Sequence, residues 1–577
     1  MLTRLLRGFL RPYTGQVVLV VSLLVAQSVG NLYLPNLNAD IINDGVIKGN
    51  LHYILVTGGL MVAISLVLGA VAIVAVYWAS RTAMGAGADM RAAVYARVQA
   101  FSAHDMDRFG TPSLINRNTN DIQQIQLFVQ MALTLMVVAP IMSIGGIILA
   151  VREGAALSPL LAVAVPVMAG LIGTVVALVV PQFRTMQVKL DRINAVLREQ
   201  ITGVRVIRAF VRNRSEAERF ADANTDLTAT ALRVNRIFAL APPSLMAVLN
   251  LSSVAVLWFG GRLVSEGAMP IGNLTAFLTY IMQILIAVMM AVMMAILLPR
   301  AVASAERLEE VLLTEPSIAD PDSPVSPVEI TGEVRFEHVT FGYPGSERPV
   351  LRDVSFTLPP GRTSAVIGGT GSGKTTMLQL MTRFFDASEG SVEVHGVDVR
   401  FQDRDALWAS MGLVPQAAFL FSGTVATNLR FAKPEATDAE LWHALDVAQA
   451  RDFVAAMPGG LDAVIDQGGT NVSGGQRQRL SIARAVVRQP RLFIFDDCFS
   501  ALDAVTDARL RGALRAETRN AAVVIVAQRV STIMHADQII VMDRGAVAGI
   551  GTHEELVAGC APYREIVVSQ LGEDAAA

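Results

Sequence analysis

Only two of the 577 residues are cysteine, Cys498 and Cys560, both in the C-terminal half. Two thiols so far apart in the chain build neither a disulfide framework nor a cysteine metal site, so reduced cytosolic thiols are expected. Charge is scarce as well. Asp, Glu, Lys and Arg together make up 17% of the chain and the formal net charge is −3. That balance leaves no basic footprint for nucleic acid, and none is expected as a partner. Apolar residues fill the place instead, at 53% with a mean hydropathy of +0.47, which is greasy for a soluble protein. A cleavable leader is not expected either. Arg4, Arg7 and Arg11 precede an apolar block, but the block is too long for a signal peptide and no small-residue cleavage site follows it cleanly. It reads as a first membrane anchor.

A helix crossing the hydrocarbon core needs about 20 mainly apolar residues. Six blocks qualify, at 17–37, 54–79, 127–150, 157–181, 238–263 and 272–298. Short turns around Arg152-Glu153-Gly154 and Ser265-Glu266-Gly267 join the third block to the fourth and the fifth to the sixth. Arg and Lys crowd the N-terminus and two long connections: Arg81, Arg91, Arg97, Arg108 and Arg117 in one, and Arg184, Lys189 and many further arginines to Arg236 in the other. The loop after the first block instead carries Asp40 and Asp44 against Lys48. Both termini and both long connections are therefore expected in the cytosol. The second connection places Val188, Ile193, Val196, Leu197 and Ile201 at helical spacing, so the spans should continue as helices beyond the membrane. Helical spans point to an inner or plasma membrane, since outer membranes host barrels.

Past Arg300 the hydropathy drops, and Pro316, Pro321, Pro324 and Pro327 mark a linker. The expected division is a membrane domain over 1–315, a linker over 316–331 and a soluble α/β domain over 332–577. In that last part Gly368-Gly369-Thr370-Gly371-Ser372-Gly373-Lys374-Thr375 fits G-x-x-x-x-G-K-[ST]. It follows the apolar strand 363–367 and opens the helical run 377–380, which is the context a phosphate loop requires. Glycines let backbone N–H groups face a phosphate and the helix N-terminus adds a favourable field. Lys374 would reach the β/γ-phosphates of ATP, Thr375 would hold Mg²⁺, and Thr376 follows in the same turn. A second apolar strand, 491–495, ends in Asp496-Asp497, where Asp496 would supply a second Mg²⁺ contact.

Between these elements, Asn471-Val472-Ser473-Gly474-Gly475-Gln476-Arg477-Gln478-Arg479 resembles the signature motif of ABC transporters, and the likeness extends over the whole chain. The arrangement is similar to a type IV half-transporter of the multidrug or lipid exporter kind. The fold this implies is an α-helical membrane domain of six transmembrane helices with long cytosolic extensions, plus an α/β P-loop ABC ATPase domain. By that resemblance Tyr343 is the aromatic that stacks on adenine, and Gln416 touches Mg²⁺ and senses the membrane helices. Ser500-Ala501-Leu502-Asp503 is the D-loop. Segments near 107–115 and 211–220 would contain coupling helices that dock on the ATPase domains. Each ATP in this family lies between the phosphate loop of one chain and the signature motif of the other, so Ser473, Gly474, Gly475 and Gln476 would serve nucleotide held by a partner.

Two positions depart from the family pattern. The catalytic carboxylate after the strand aspartate is normally Glu and here is Asp497; the switch histidine is here Gln528. Shortening a base by one methylene withdraws it by more than about an ångström, and such a retreat costs on the order of 100-fold. Gln528 can hydrogen-bond a phosphate oxygen but cannot carry an imidazole's charge. The pattern resembles the degenerate subunit of a heterodimeric exporter, so a second ABC half-transporter is the expected partner. The alternatives are a homodimer with reduced turnover, an importer of siderophore type on the same fold, and an ABC protein whose ATP site only gates.

For the cargo, Met282, Met289, Met290, Met293 and Met294 in the sixth block suit an adaptable apolar surface, but plain packing or lipid contact is the favoured account of them. Gln27, Asn31, Gln130, Asn250 and Gln283 can bond between helices. No Asp, Glu, Lys or Arg falls clearly mid-span, which argues against a proton relay and a strongly charged cargo. A small hydrophobic or amphipathic substrate, met in contact with membrane lipid, is expected.

Overall fold

A computed structural model describes residues 2–572, apart from the side chains of Arg184, Met293, Ala295, Ile296 and Ala504. The Arg184 and Met293 side chains singled out above, and residues 573–577 of the expected ATPase domain, thus lie outside the described part. The chain divides into two compact units, residues 1–99 with 110–314 and residues 100–109 with 315–577.

The first unit is helical. Six helices are long and apolar enough to cross a membrane: Thr14–Asp40, Leu51–Gln99, Ile122–Glu153, Ser158–Thr202, Asn213–Ser265 and Ile271–Leu313. Each expected apolar block falls in one of them or in the short turn leading into it. The second has 49 residues and so rises roughly 70 Å at about 1.5 Å per residue, over twice a hydrocarbon core of about 30 Å. The helices therefore extend well beyond the lipid, as the apolar spacing over 188–201 anticipates. Pro35, Pro140, Pro166, Pro181, Pro242, Pro243 and Pro299 all lie inside helices. Membrane helices tolerate them because neighbouring groups re-satisfy the freed carbonyls.

Small residues and amides bind the helices together. A Cβ on Gly145 would lie 2.5 Å from the Leu32 side chain, and one on Gly146 would lie 2.8 Å from Ile284, so the third helix packs closely on the first and sixth. Gln130 donates to Ser80 Oγ at 3.0 Å, the interhelical role expected of it. Where the first helix leaves α-geometry in a π-turn, Ile41–Val46, Asn43 donates to Asn273 Oδ1 at 2.9 Å. Asn273 donates in turn to Glu153 Oε2 at 2.9 Å. Near the other end of the third helix, buried Asp121 accepts from Arg307 and Ser304.

The short helices differ in part from expectation. Ala103–Phe109 and Thr111–Asn116 bracket the expected 107–115 stretch. In the connection between the fourth and fifth long helices, a short helix lies at Val204–Ala209, upstream of the expected 211–220. Gly203 ends the preceding long helix, Val211 breaks the chain at a φ of 55°, and residues from Asn213 onward already belong to the fifth long helix. A β-branched residue at positive φ is a costly break, and it carries no signal in hydropathy.

In the second unit twelve strands are described. They are β1 Val334–Phe341, β2 Leu351–Leu358, β3 Thr363–Gly368, β4 Glu389–Val394, β5 Val397–Asp398, β6 Met411–Val414, β7 Gly423–Thr424, β8 Val464–Ile465, β9 Leu492–Asp496, β10 Ala522–Val526, β11 Gln538–Asp543 and β12 Ala546–Gly551. β2, β1, β4 and β5 form an antiparallel sheet; the main sheet runs β12-β11-β3-β10-β9-β6, parallel except for edge strand β12. Alternate residues of its central strands feed opposite cores. Ala365, Ile367, Phe493 and Phe495 enter one, and Val366, Leu492, Ile494 and Val524 the other. Burial on both faces is why these strands read as continuous apolar runs.

Candidate active site

Parallel β3 and β9 both end, at their C-terminal edges, in the residues singled out by sequence. β3 delivers Gly368, and the helix Lys374–Met381 begins six residues later. The loop between needs its glycines. Gly371 and Gly373 sit at φ of 79° and 97°, where L side chains are strained. A Cβ on Gly368 would lie 2.1 Å from the Met542 carbonyl oxygen. Around this turn Lys374 Nζ donates to the Gly368 and Gly369 carbonyls at 2.9 and 2.8 Å. The ammonium is buried, and burial pushes its pKa down while Asp497 and Asp496 pull it back up.

β9 ends at buried Asp496, whose pKa is raised by burial and by Asp497 beside it, against a hydrogen bond with Thr375 and the nearby Lys374 charge. Asp497 leaves the strand at a φ of 45°; its N–H donates to Val526 O at 2.9 Å, and its carbonyl accepts from Ser500 Oγ at 2.8 Å. That backbone turn aims the carboxylate at two amides. Gln528 Nε2 donates to Asp497 Oδ2 at 2.9 Å, and Gln416 Nε2 donates to the same oxygen at 3.3 Å. The two unusual residues noted in the sequence are thus bonded to each other.

Tyr343 lies against Phe341 and Phe385, edge to face. Its hydroxyl donates to Gln379 Oε1 at 2.7 Å and sits 3.0 Å from Thr376 Oγ1, so the Thr376 hydroxyl faces the tyrosine. The signature run forms the N-terminus of the 15-residue helix Gly474–Arg488. Ser473 Oγ accepts from Gln476 N and Gln476 Oε1 accepts from Ser473 N, a capping box that fixes both side chains. Gly474 has open space where a Cβ would point. Gln478 of this helix donates to the Pro415 carbonyl at 3.4 Å, beside Gln416. Asp503 caps the next helix, Ala504–Glu517, through Thr506 N at 2.9 Å.

The phosphate loop, Asp496, Asp497, Gln416 and Gln528 therefore converge, and Tyr343 joins them through Thr376. Among the described residues, no hydrogen bond joins the signature run to the phosphate loop within the chain. Sequence reading missed Gln379 and also Gln570, which bonds the backbone on both sides of Arg529. Neither belongs to a local motif, and only the tertiary fold brings them there.

A phosphate loop with a buried strand carboxylate beside it, in a chain carrying six apolar helices of membrane-crossing length, defines a membrane-embedded P-loop ATPase. Residues 17–289 match the ABC transporter transmembrane region and residues 351–500 match the ABC transporter family. The uncharacterized ABC transporter ATP-binding protein Rv1273c of Mycobacterium tuberculosis is 46% identical over 574 residues, covering 99% of this chain and 98% of that protein. YheI of Bacillus subtilis, named as a probable multidrug resistance ABC transporter ATP-binding/permease protein, is 31% identical over 571 residues, 96% of this chain and 95% of its own. The fold matches a bacterial Atm1-family ABC exporter solved with ATP bound, with a TM-score of 0.80 at 23% identity over 98% of this chain and 99% of the other. The chain belongs to the ABC transporter family, as a multi-pass membrane protein whose ATPase domain couples ATP hydrolysis to transport.

Proposed function

We propose that this chain is one subunit of a heterodimeric ABC exporter for hydrophobic or amphipathic compounds, and that its own ATP site binds nucleotide but hydrolyses it slowly. The carrying observation is the pair of amides on Asp497. A general base needs a free lone pair within hydrogen-bond reach of the attacking water. Here the shortened carboxylate stands back from the family's position, and one of its oxygens accepts from Gln416 and Gln528. Gln528 fits Asp497, which is why the two substitutions are read as one adaptation.

Binding is preserved. Backbone N–H groups from Gly368 to Gly373 cradle the phosphates, Lys374 meets the β/γ-oxygens, and Tyr343 stacks on the adenine. Thr375, Gln416 and Asp496 offer oxygens of the kind Mg²⁺ takes, and the ion supplies charge neutralisation on the phosphates when bound. The capped helix start at Ser473, Gly474, Gly475 and Gln476 faces nucleotide held by the partner, where its N–H groups favour an anion, and Asp503 lies at the same interface. The arginine distribution supports cytosolic termini. Export is supported by the exporter-like fold and the multidrug name of YheI.

The test is Asp497→Glu combined with Gln528→His in the assembled transporter. The pair should raise turnover at this site at least tenfold, more than the product of the gains from the two single changes. No gain from the double variant would overturn the reading.

A further inference from the structure

The C-terminal helix Ala561–Leu571 has no part in the reading above, yet it is tied to the switch residue. Gln570 Nε2 donates to the Gln528 carbonyl at 2.7 Å, and Gln570 Oε1 accepts from Val530 N–H at 2.8 Å. One side chain amide thus spans the two peptide groups flanking Arg529. Because one partner is a carbonyl and the other an N–H, the amide has a single orientation that satisfies both. The helix behind it is well anchored. Tyr563 and Val567 are fully buried, and they share a core with Val530. Tyr563 O–H is 2.8 Å from His553 Nδ1. On the far side of the same loop, Gln528 Nε2 reaches Asp497.

We infer that Gln570 is a positioning residue for nucleotide sensing: it holds the Gln528–Val530 backbone so that the Gln528 amide stays at Asp497 and the γ-phosphate position, which links the C-terminal helix to the ATP site. The inference rests on the proposed ATP site, with the Gln528 amide bonding a phosphate oxygen as its sequence position allows. A loop clamped at two peptides loses little freedom when its side chain engages a ligand, so affinity that depends on that side chain depends on the clamp. ADP carries no γ-phosphate and should be indifferent to it. Discrimination between ATP and ADP is therefore the property that separates positioning from general support.

The experiment measures ATP and ADP binding to the full-length chain in lipid nanodiscs with Mg²⁺, by fluorescence competition, for wild type, Gln528→Ala, Gln570→Ala and Gln570→Glu. Gln528→Ala should weaken ATP about five- to tenfold and leave ADP within twofold. Gln570→Ala should follow it in direction with ADP unchanged. Gln570→Glu keeps the acceptor for Val530 and loses the donor to Gln528, so it should fall between, and it supplies the comparison should Gln570→Ala fold poorly. If Gln528→Ala lowers the ATP preference while both Gln570 variants keep it, or weaken ATP and ADP alike, the positioning role is wrong. If Gln528→Ala itself leaves the preference intact, the reading of Gln528 fails, and this inference with it.

Discussion

Asp497 sits at a φ of 45°, a left-handed conformation that aspartate tolerates better than most residues. Its neighbour Asp496 is held in a buried position where ionisation is disfavoured, by burial first and by Asp497 second. A carboxylate with a raised folded-state pKa contributes stability below its unfolded pKa and loses that contribution as pH rises through the folded value. At neutral pH the ionised Asp496 therefore opposes folding. Asp496→Asn should unfold at a higher temperature than wild type at pH 7, an advantage that shrinks as pH falls through the raised folded-state pKa toward the ordinary carboxylate value and is level below it. Its Mg²⁺-ATP binding should be weakened. Differential scanning calorimetry across pH checks the first part and nucleotide competition the second. A melting difference that does not vary with pH would contradict this account of the site's electrostatics.

Among the elements, the short helix Ala103–Phe109 illustrates how a single carboxylate organises several segments. Asp105 Oδ2 accepts from the N–H and hydroxyl of both Ser102 and Ser317. Burial pushes the Asp105 pKa up, but these hydrogen bonds together bring it below its ordinary value. The stability it contributes is therefore present above the unfolded carboxylate pKa and is lost as pH falls through the lower folded one. Asp105→Asn should cost about 1–3 kcal/mol locally and accelerate amide exchange across 101–109, with little change elsewhere. Sequence alone could not reveal this tie, because Ser102 and Ser317 are far apart in the chain. The same holds for Gln570 and for the Asn43–Asn273–Glu153 chain. The six spans and the phosphate loop were legible because each is a contiguous run whose composition or spacing carries the physics. The short helix Val204–Ala209 was not legible because its end is set by backbone geometry at Val211, to which hydropathy is blind.

At the scale of the whole molecule, the chain holds one phosphate loop and one signature helix, each suited to an opposite face of a nucleotide. Pairing with an unlike half would give one pocket built on Asp497 and Gln528 and another completed by the Ser473–Gln476 helix start. That division assigns holding to the first pocket and turnover to the second. The direct measurement is steady-state ATP turnover by the purified chain alone in lipid, beside the same chain assembled with a second ABC half-transporter that carries Glu and His at the positions of Asp497 and Gln528. The account predicts activity near background for the lone chain and robust activity for the assembly. Sustained turnover by two copies of this chain would contradict it.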